Sequence, residues 1–155
     1  MTTTRIDGVD ARILRHLHKS GRASVQEISD QVGLSPSPVA RRIRALEECG
    51  IIAGYAALLD ETALGYPVSV FVSVQLDRQV DEALAKFEAA IKACPEVVDC
   101  WLMTGSRDYL LRVVIASLAD FEKFLTGQLT RIAGVATIES SIPLRRVKTG
   151  ISRMP

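Results

Sequence analysis

Apolar residues recur at helical spacing through the first fifty positions. Val9, Ile13, Leu14 and Leu17 form one stripe, so a first helix is expected over Val9 to Ser20, ending near Gly21. Ser24 and Glu27 form a capping-box pair ahead of a second stripe, Val25, Ile28 and Val32. Gly33 then stops the helix, because a left-handed residue is needed there and glycine alone takes it without steric cost. Ser35 and Pro36 open a third helix as N-cap and first helical residue. Val39, Ile43 and Leu46 share a narrow arc of it. Ser37, Arg41, Arg44 and Glu48 lie opposite, and Arg42 sits on the flank. Gly50 ends it.

The period then changes. Residues 51–59 are apolar and extended in character, either a wing or a linking strand, and Asp60 to Pro67 reads as a boundary. From Val68 the order is strand, helix, strand, strand, helix, strand. Val68 to Leu76 alternates and is β-branched; Val80 to Ala93 carries Leu84, Phe87 and Ile91 on one helical stripe; Val97 to Met103 and Tyr109 to Ile115 form a hairpin about a turn at residues 105–108. Ser117 and Asp120 cap a helix with Phe121, Phe124, Leu125 and Leu129, and Val135 to Leu144 is the last strand. That order gives the split β-α-β arrangement, four antiparallel strands with both helices on one face. Runs such as residues 110–115 are apolar on both faces, so the open face is expected to be covered by a second copy.

The expected fold class is therefore α+β: a three-helix, winged-helix-like helix-turn-helix domain over residues 1–52, a linking strand and hinge over 53–67, and a ferredoxin-like βαββαβ domain over 68–155. The first of these has the form of a helix pair whose second helix enters the major groove of DNA. The alternative is a solvated helix pair with arginines for solubility.

Charge narrows this. The net charge is only +1, too low for a general nucleic-acid binder, so any DNA contact is local. Arg41, Arg42 and Arg44 supply such a patch, with no acidic residue between Asp30 and Glu47. Three cysteines, Cys49, Cys94 and Cys100, have no C-x-x-C spacing, and the two histidines, His16 and His18, lie in the first helix, so neither a metal site nor a catalytic base is expected. No nucleophile–base pair or glycine-rich phosphate loop appears, and an enzyme is not expected. No secretory signal or membrane-spanning run is seen, which points to the cytoplasm and away from a membrane partner.

Several short stretches, in order, are similar to one family. They are residues 10–14 (Asp-Ala-Arg-Ile-Leu), 21–24 (Gly-Arg-Ala-Ser), 32–47 (Val-Gly-Leu-Ser-Pro-Ser-Pro-Val-Ala-Arg-Arg-Ile-Arg-Ala-Leu-Glu), 50–55 (Gly-Ile-Ile-Ala-Gly-Tyr), 104–111 (Thr-Gly-Ser-Arg-Asp-Tyr-Leu-Leu), Gly134-Val135 and Val147-Lys148. The chain thereby resembles the Lrp/AsnC, or feast/famine, transcription regulators over nearly its whole length. The resemblance implies binding to pseudopalindromic promoter DNA, dimers assembling into tetramers or octamers, and response to a small effector, in many members an amino acid held between dimers near the hairpin turn. No other cofactor is implied. A regulator of this fold that binds DNA without any ligand is the alternative.

Carried over by position, the DNA-contacting candidates are Arg22, Ser35, Ser37, Pro38, Arg41, Arg42 and Arg44. Hydroxyls and backbone N–H groups at the third helix's start suit phosphate; Arg41 and Arg44 suit guanine edges or phosphates; Arg42 either contacts DNA or braces the domain. The effector candidates are Met103, Thr104, Gly105, Arg107, Asp108, Tyr109, Ser140 and Ile142. Asp108 suits an ammonium group, or merely closes the turn; Met103 and Ile142 are walls of a pocket or plain core. Two departures stand out. Ser106-Arg107 replaces an acidic or aromatic residue of relatives, so that Arg107 either favours an acidic effector or is a surface charge, and Pro143 in the last strand implies an edge or bulge.

Overall fold

The computed structural model describes residues 6–148, 150, 152, 153 and 155. The chain forms two compact units, Leu59–Val147 as one and Met1–Leu58 with Lys148–Pro155 as the other.

The first unit contains helices α1 (Gly8–Lys19), α2 (Val25–Val32) and α3 (Pro36–Glu48). Ile13, Ile28, Val32, Val39 and Leu46 are its buried centre, with Val9, Leu14, Leu17 and Ile43 packed around them. These are the stripes of the three helices. Each helix buries one face and leaves the other in water, so the core closes only when all three meet. The caps act as the sequence suggests at α2: the Glu27 N–H donates to the Ser24 hydroxyl at 3.2 Å, and Glu27 accepts from the Ser24 N–H at 2.6 Å. Gly33 takes φ +72° after it. A second capping box was not anticipated. Asp7 accepts from the Val9 and Asp10 N–H groups, and Asp10 accepts from the Asp7 N–H, which fixes the start of α1.

Ile51 and Ile52 pack against this helical core, and the Ile52 N–H donates to the Leu46 carbonyl at 3.0 Å. Residues 53–60 have no strand pairing. A strand exists only as a ladder, and among the described residues no segment pairs with that one.

The second unit is a four-stranded antiparallel sheet in the order β2-β3-β1-β4, with β1 Val68–Leu76, β2 Val97–Leu102, β3 Tyr109–Ile115 and β4 Val135–Ser141. Helices α4 (Asp81–Lys92) and α5 (Leu118–Gly127) cover one face. Val70, Val72 and Val74 of β1 and Tyr109, Leu111 and Val113 of β3 meet Phe87 and Ile91 of α4 and Phe124 of α5 in a buried cluster. Alternation puts Phe71, Ser73 and Gln75 of β1 and Leu110, Arg112 and Val114 of β3 on the other face, with Trp101 of β2 43% exposed. That face is less uniformly apolar than the run 110–115 suggested. Arg112 lies in its middle and holds Glu61 through two hydrogen bonds (3.1 and 3.0 Å) and Asp99 through one (3.1 Å).

The expectation for the last strand is corrected in part: β4 is an edge strand, but Pro143 is not in it. The last strand ends at Ser141, so Pro143 lies beyond the ladder and breaks none of its bonds. The irregularity falls instead between Gln75 and Leu76, where β1 slips against β4.

Candidate functional site

In the first unit, the outward face of α3 carries Ser37, Arg41 and Arg44, all exposed, with Ser35 before them and Pro38 half-buried. Arg22, in the loop ahead of α2, is exposed too. Among the described residues no carboxylate pairs with Arg22, Arg41 or Arg44. Their charge faces solvent unneutralised.

Arg42 is different. Its guanidinium reaches Asp7 at 2.8 Å and Asp10 at 2.7 Å, the two acids of the α1 capping box. The N–H of Asp10 holds the Asp7 carboxyl below its usual range, and Arg42 adds to this. Hydrogen bonds to Asp10 and Asp7 in turn raise the Arg42 pKa. Of the two roles open to it, the geometry supports the brace: Arg42 ties α3 to the cap of α1.

The start of α3 also offers fewer donors than expected. Pro36 and Pro38 have no N–H, and the Val39 N–H reaches back to the Ser35 carbonyl at 3.5 Å. Only the Ser37 N–H remains among the first three helical residues. The Ser35 hydroxyl makes no cap bond and is therefore free, as a donor, for another partner.

In the second unit, the turn between β2 and β3 contains Thr104, Gly105 and Arg107, with Gly105 at φ +108°, where a side chain is strained. Asp108 is only 4% exposed. Its carboxylate accepts from the Leu76 N–H at 2.6 Å and from the Gln79 side-chain amide at 2.5 Å. Leu76 is where β1 slips in register, so the aspartate takes up an N–H at the irregular end of that ladder. Arg107 donates to Gln75 at 3.0 Å and to Glu139 at 3.1 Å, linking the turn across β1 to β4. Tyr109 is 1% exposed and points to the helices; its ring lies 4.5 Å from that of Phe87, and its hydroxyl donates to Glu88 at 3.0 Å. Burial and the neighbouring Glu88 push that hydroxyl's pKa up.

The effector candidates are not all gathered by one chain. Met103 and Thr104 are exposed beside the turn. Ser140 pairs with Val72 while Tyr109 pairs with Val74, so Ser140 lies about 7 Å further along the sheet, on a strand beyond β1, and Ile142 lies further still. Tyr109 instead lines a cleft together with residues that the pattern did not assign to the effector. This cleft, of about 240 Å³ between α4 and β2, is lined by Glu88, Ile91, Lys92, Cys100, Leu102 and Tyr109. Glu88 and Lys92, four apart on α4, were the available signal. Burial raises the Cys100 thiol pKa, and the described residues contain no cluster suited to a metal ion.

A helix-turn-helix with an unneutralised basic face, joined in one chain to a split β-α-β sheet domain, is the architecture of a DNA-binding protein with a second, separate domain. Two family models match: winged helix-turn-helix DNA-binding over residues 6–53, and the Lrp/AsnC ligand-binding domain over residues 69–152. The Bkd operon transcriptional regulator of Pseudomonas aeruginosa is 48% identical over 92% of this chain and 93% of its own. The leucine-responsive regulatory protein of Rhizobium meliloti is 40% identical over 92% of each. Among solved structures, a transcriptional regulator of Neisseria meningitidis in complex with L-Met superposes with a TM-score of 0.91 at 35% identity, covering 96% of both chains. A feast or famine regulatory protein of M. tuberculosis complexed with L-methionine gives a TM-score of 0.83 at 32% identity over 97% of this chain and all of the other. The chain belongs to the Lrp/AsnC family of DNA-binding transcriptional regulators. Its relatives are regulators, not enzymes.

Proposed function

We propose that this regulator reads promoter DNA as a cytoplasmic homo-oligomer, with α3 in the major groove, and that a free amino acid modulates it. One observation carries the DNA half: Arg41 and Arg44 stand exposed and unpaired on one face of α3, while Arg42 between them is held by Asp7 and Asp10. Arg41 and Arg44 then supply base or phosphate contacts, and Arg22, Ser35 and Ser37 supply phosphate contacts. Pro38 shapes the helix start, and Arg42 sets the angle between α3 and α1.

The effector half rests on relatives that are leucine-responsive or bind L-methionine, both with apolar side chains. Met103, 43% exposed, and Ile142, 54% exposed, suit such a side chain, and Thr104, Gly105 and Ser140 suit its polar end. Because one chain holds these residues apart, completion by a second copy follows, and with it a link between ligand and assembly. The Arg107 guanidinium is held by Gln75 and Glu139, which weakens the case for an acidic effector. A ligand-independent regulator draws support from Asp108, whose carboxylate already has two partners.

Two measurements test this. A duplex selected by the protein from a random-sequence pool is used in a gel shift; the double change Arg41→Ala, Arg44→Ala abolishes the shift, and intact binding overturns the DNA interface. Thermal unfolding with each of the twenty amino acids raises the midpoint with an apolar one; no rise with any of them decides for the ligand-independent regulator.

A further inference from the structure

The charge of the chain is unevenly distributed, and its last stretch is the exception. Residues 59–139 contain seven Lys and Arg against twelve Asp and Glu. That part of the second domain repels a phosphate backbone. After Glu139 the sequence contains Arg145, Arg146, Lys148 and Arg153 and no carboxylate side chain at all. These four cations exceed the net charge of the whole chain, +1, so residues 1–139 are net negative.

All four are exposed, and among the described residues none of them is paired with a carboxylate. Around Arg145 the described chain forms no helix or strand. Lys148–Pro155 also belong to the same compact unit as the helix-turn-helix, although the sequence places them after the sheet domain. Arg145 is three residues before Lys148, which limits their separation to about 11 Å. Lys148 and Arg153 therefore fall in the unit that carries the helix-turn-helix, and Arg145 and Arg146 directly precede that stretch in sequence.

We propose that Arg145, Arg146, Lys148 and Arg153 form a second DNA-contacting element, which binds phosphates of the same duplex that α3 reads. It rests on the DNA-binding reading above. Unpaired exposed cations displace counterions when they meet phosphates, whatever the base sequence. The element therefore adds affinity and salt dependence but not sequence preference. It also answers a shortage: α3 offers two free arginines and one N–H in its first turn, few contacts for a specific complex.

The test uses the full chain with Arg145, Arg146, Lys148 and Arg153 all changed to Gln, beside a charge-keeping variant with the three arginines changed to Lys. Affinity for the selected duplex and for a scrambled duplex is measured by fluorescence anisotropy from about 50 to 300 mM KCl. The Gln variant is expected to bind both duplexes roughly tenfold or more weakly at about 100 mM. Its log K against log [KCl] slope flattens by about 0.9 per lost phosphate contact, hence by about 2 or more for two chains on one duplex. The ratio between the two duplexes stays the same, and the Lys variant keeps the parent slope. An unchanged slope in a Gln variant that melts like the parent overturns the proposal. So does a loss confined to the selected duplex. If the parent chain itself binds neither duplex, it is the DNA-binding reading that fails.

Discussion

Asp108 offers the sharpest test of what the β2–β3 turn does. Changing it to Ala removes the acceptor of the Leu76 N–H (2.6 Å) and of the Gln79 amide (2.5 Å). Asp108 and Leu76 are both only 4% exposed, so water does not readily replace the lost acceptor. A buried N–H left without a partner costs about 1–3 kcal/mol, and a bond to a charged acceptor lies at the upper end of that range. For a domain of this size each kcal/mol lowers the midpoint by roughly 4–8 °C. Asp108→Ala should therefore lower the sheet domain's transition by about 4–24 °C in scanning calorimetry of the full chain. Asp108→Asn keeps an amide oxygen for the Leu76 N–H, and Gln79 can turn its amide to match, so most of the stability returns. The Asn variant is then the one in which to measure effector response, since its fold is preserved. An Ala variant melting within about 2 °C of the parent would refute the latch, because that shift is below the cost of one buried orphan N–H.

Three further outcomes are expected. Arg42→Ala releases α3 from the α1 cap: the helix-turn-helix transition falls by a few degrees, and DNA affinity measured well below that transition falls less than for Arg41→Ala; equal losses for the two would make Arg42 a direct contact. The N-terminal unit is acid-sensitive in a defined direction. The Asp10 N–H and then Arg42 depress the Asp7 pKa, and the Ser24 N–H and hydroxyl depress that of Glu27. Their contribution is therefore complete above the ordinary carboxylate range and is lost as pH falls through the lower folded values, below about 4. Thermal midpoints followed from pH 7 to 2.5 should show this loss, and Asp7→Asn with Glu27→Gln should flatten it. Gly134 sits at φ +89°, and an added Cβ comes within 3.3 Å of the Asp77 carboxylate, so Gly134→Ala should lose about 1–3 kcal/mol in urea unfolding; a change under about 0.5 kcal/mol contradicts the strain.

The features readable from residue order alone were local in origin. The stripes of α1, α2 and α3, the Ser24–Glu27 box and Gly33 were legible because each depends on residues within one or two turns. The alternation of β1 and the order of strands and helices were legible for the same reason, and the motifs spanning residues 32–47 and 104–111 carried the family. Arg42 shows where this stops. A helical projection puts it on the flank of α3, but the acids that hold it lie 35 and 32 positions earlier, and the pattern of α3 contains no trace of them. Asp108 sits in a turn where an aspartate has many uses, and only the pairing of β3 with β1 brings the Leu76 N–H, 32 residues away, to its carboxylate. Residues 51–59 were apolar enough for a strand, yet strand formation is decided by a partner. Periodicity reports which way a side chain points, because that follows from backbone geometry. Which group it meets is decided by chain segments distant in sequence, and for Arg42, Asp108 and Tyr109 only the tertiary structure could decide it.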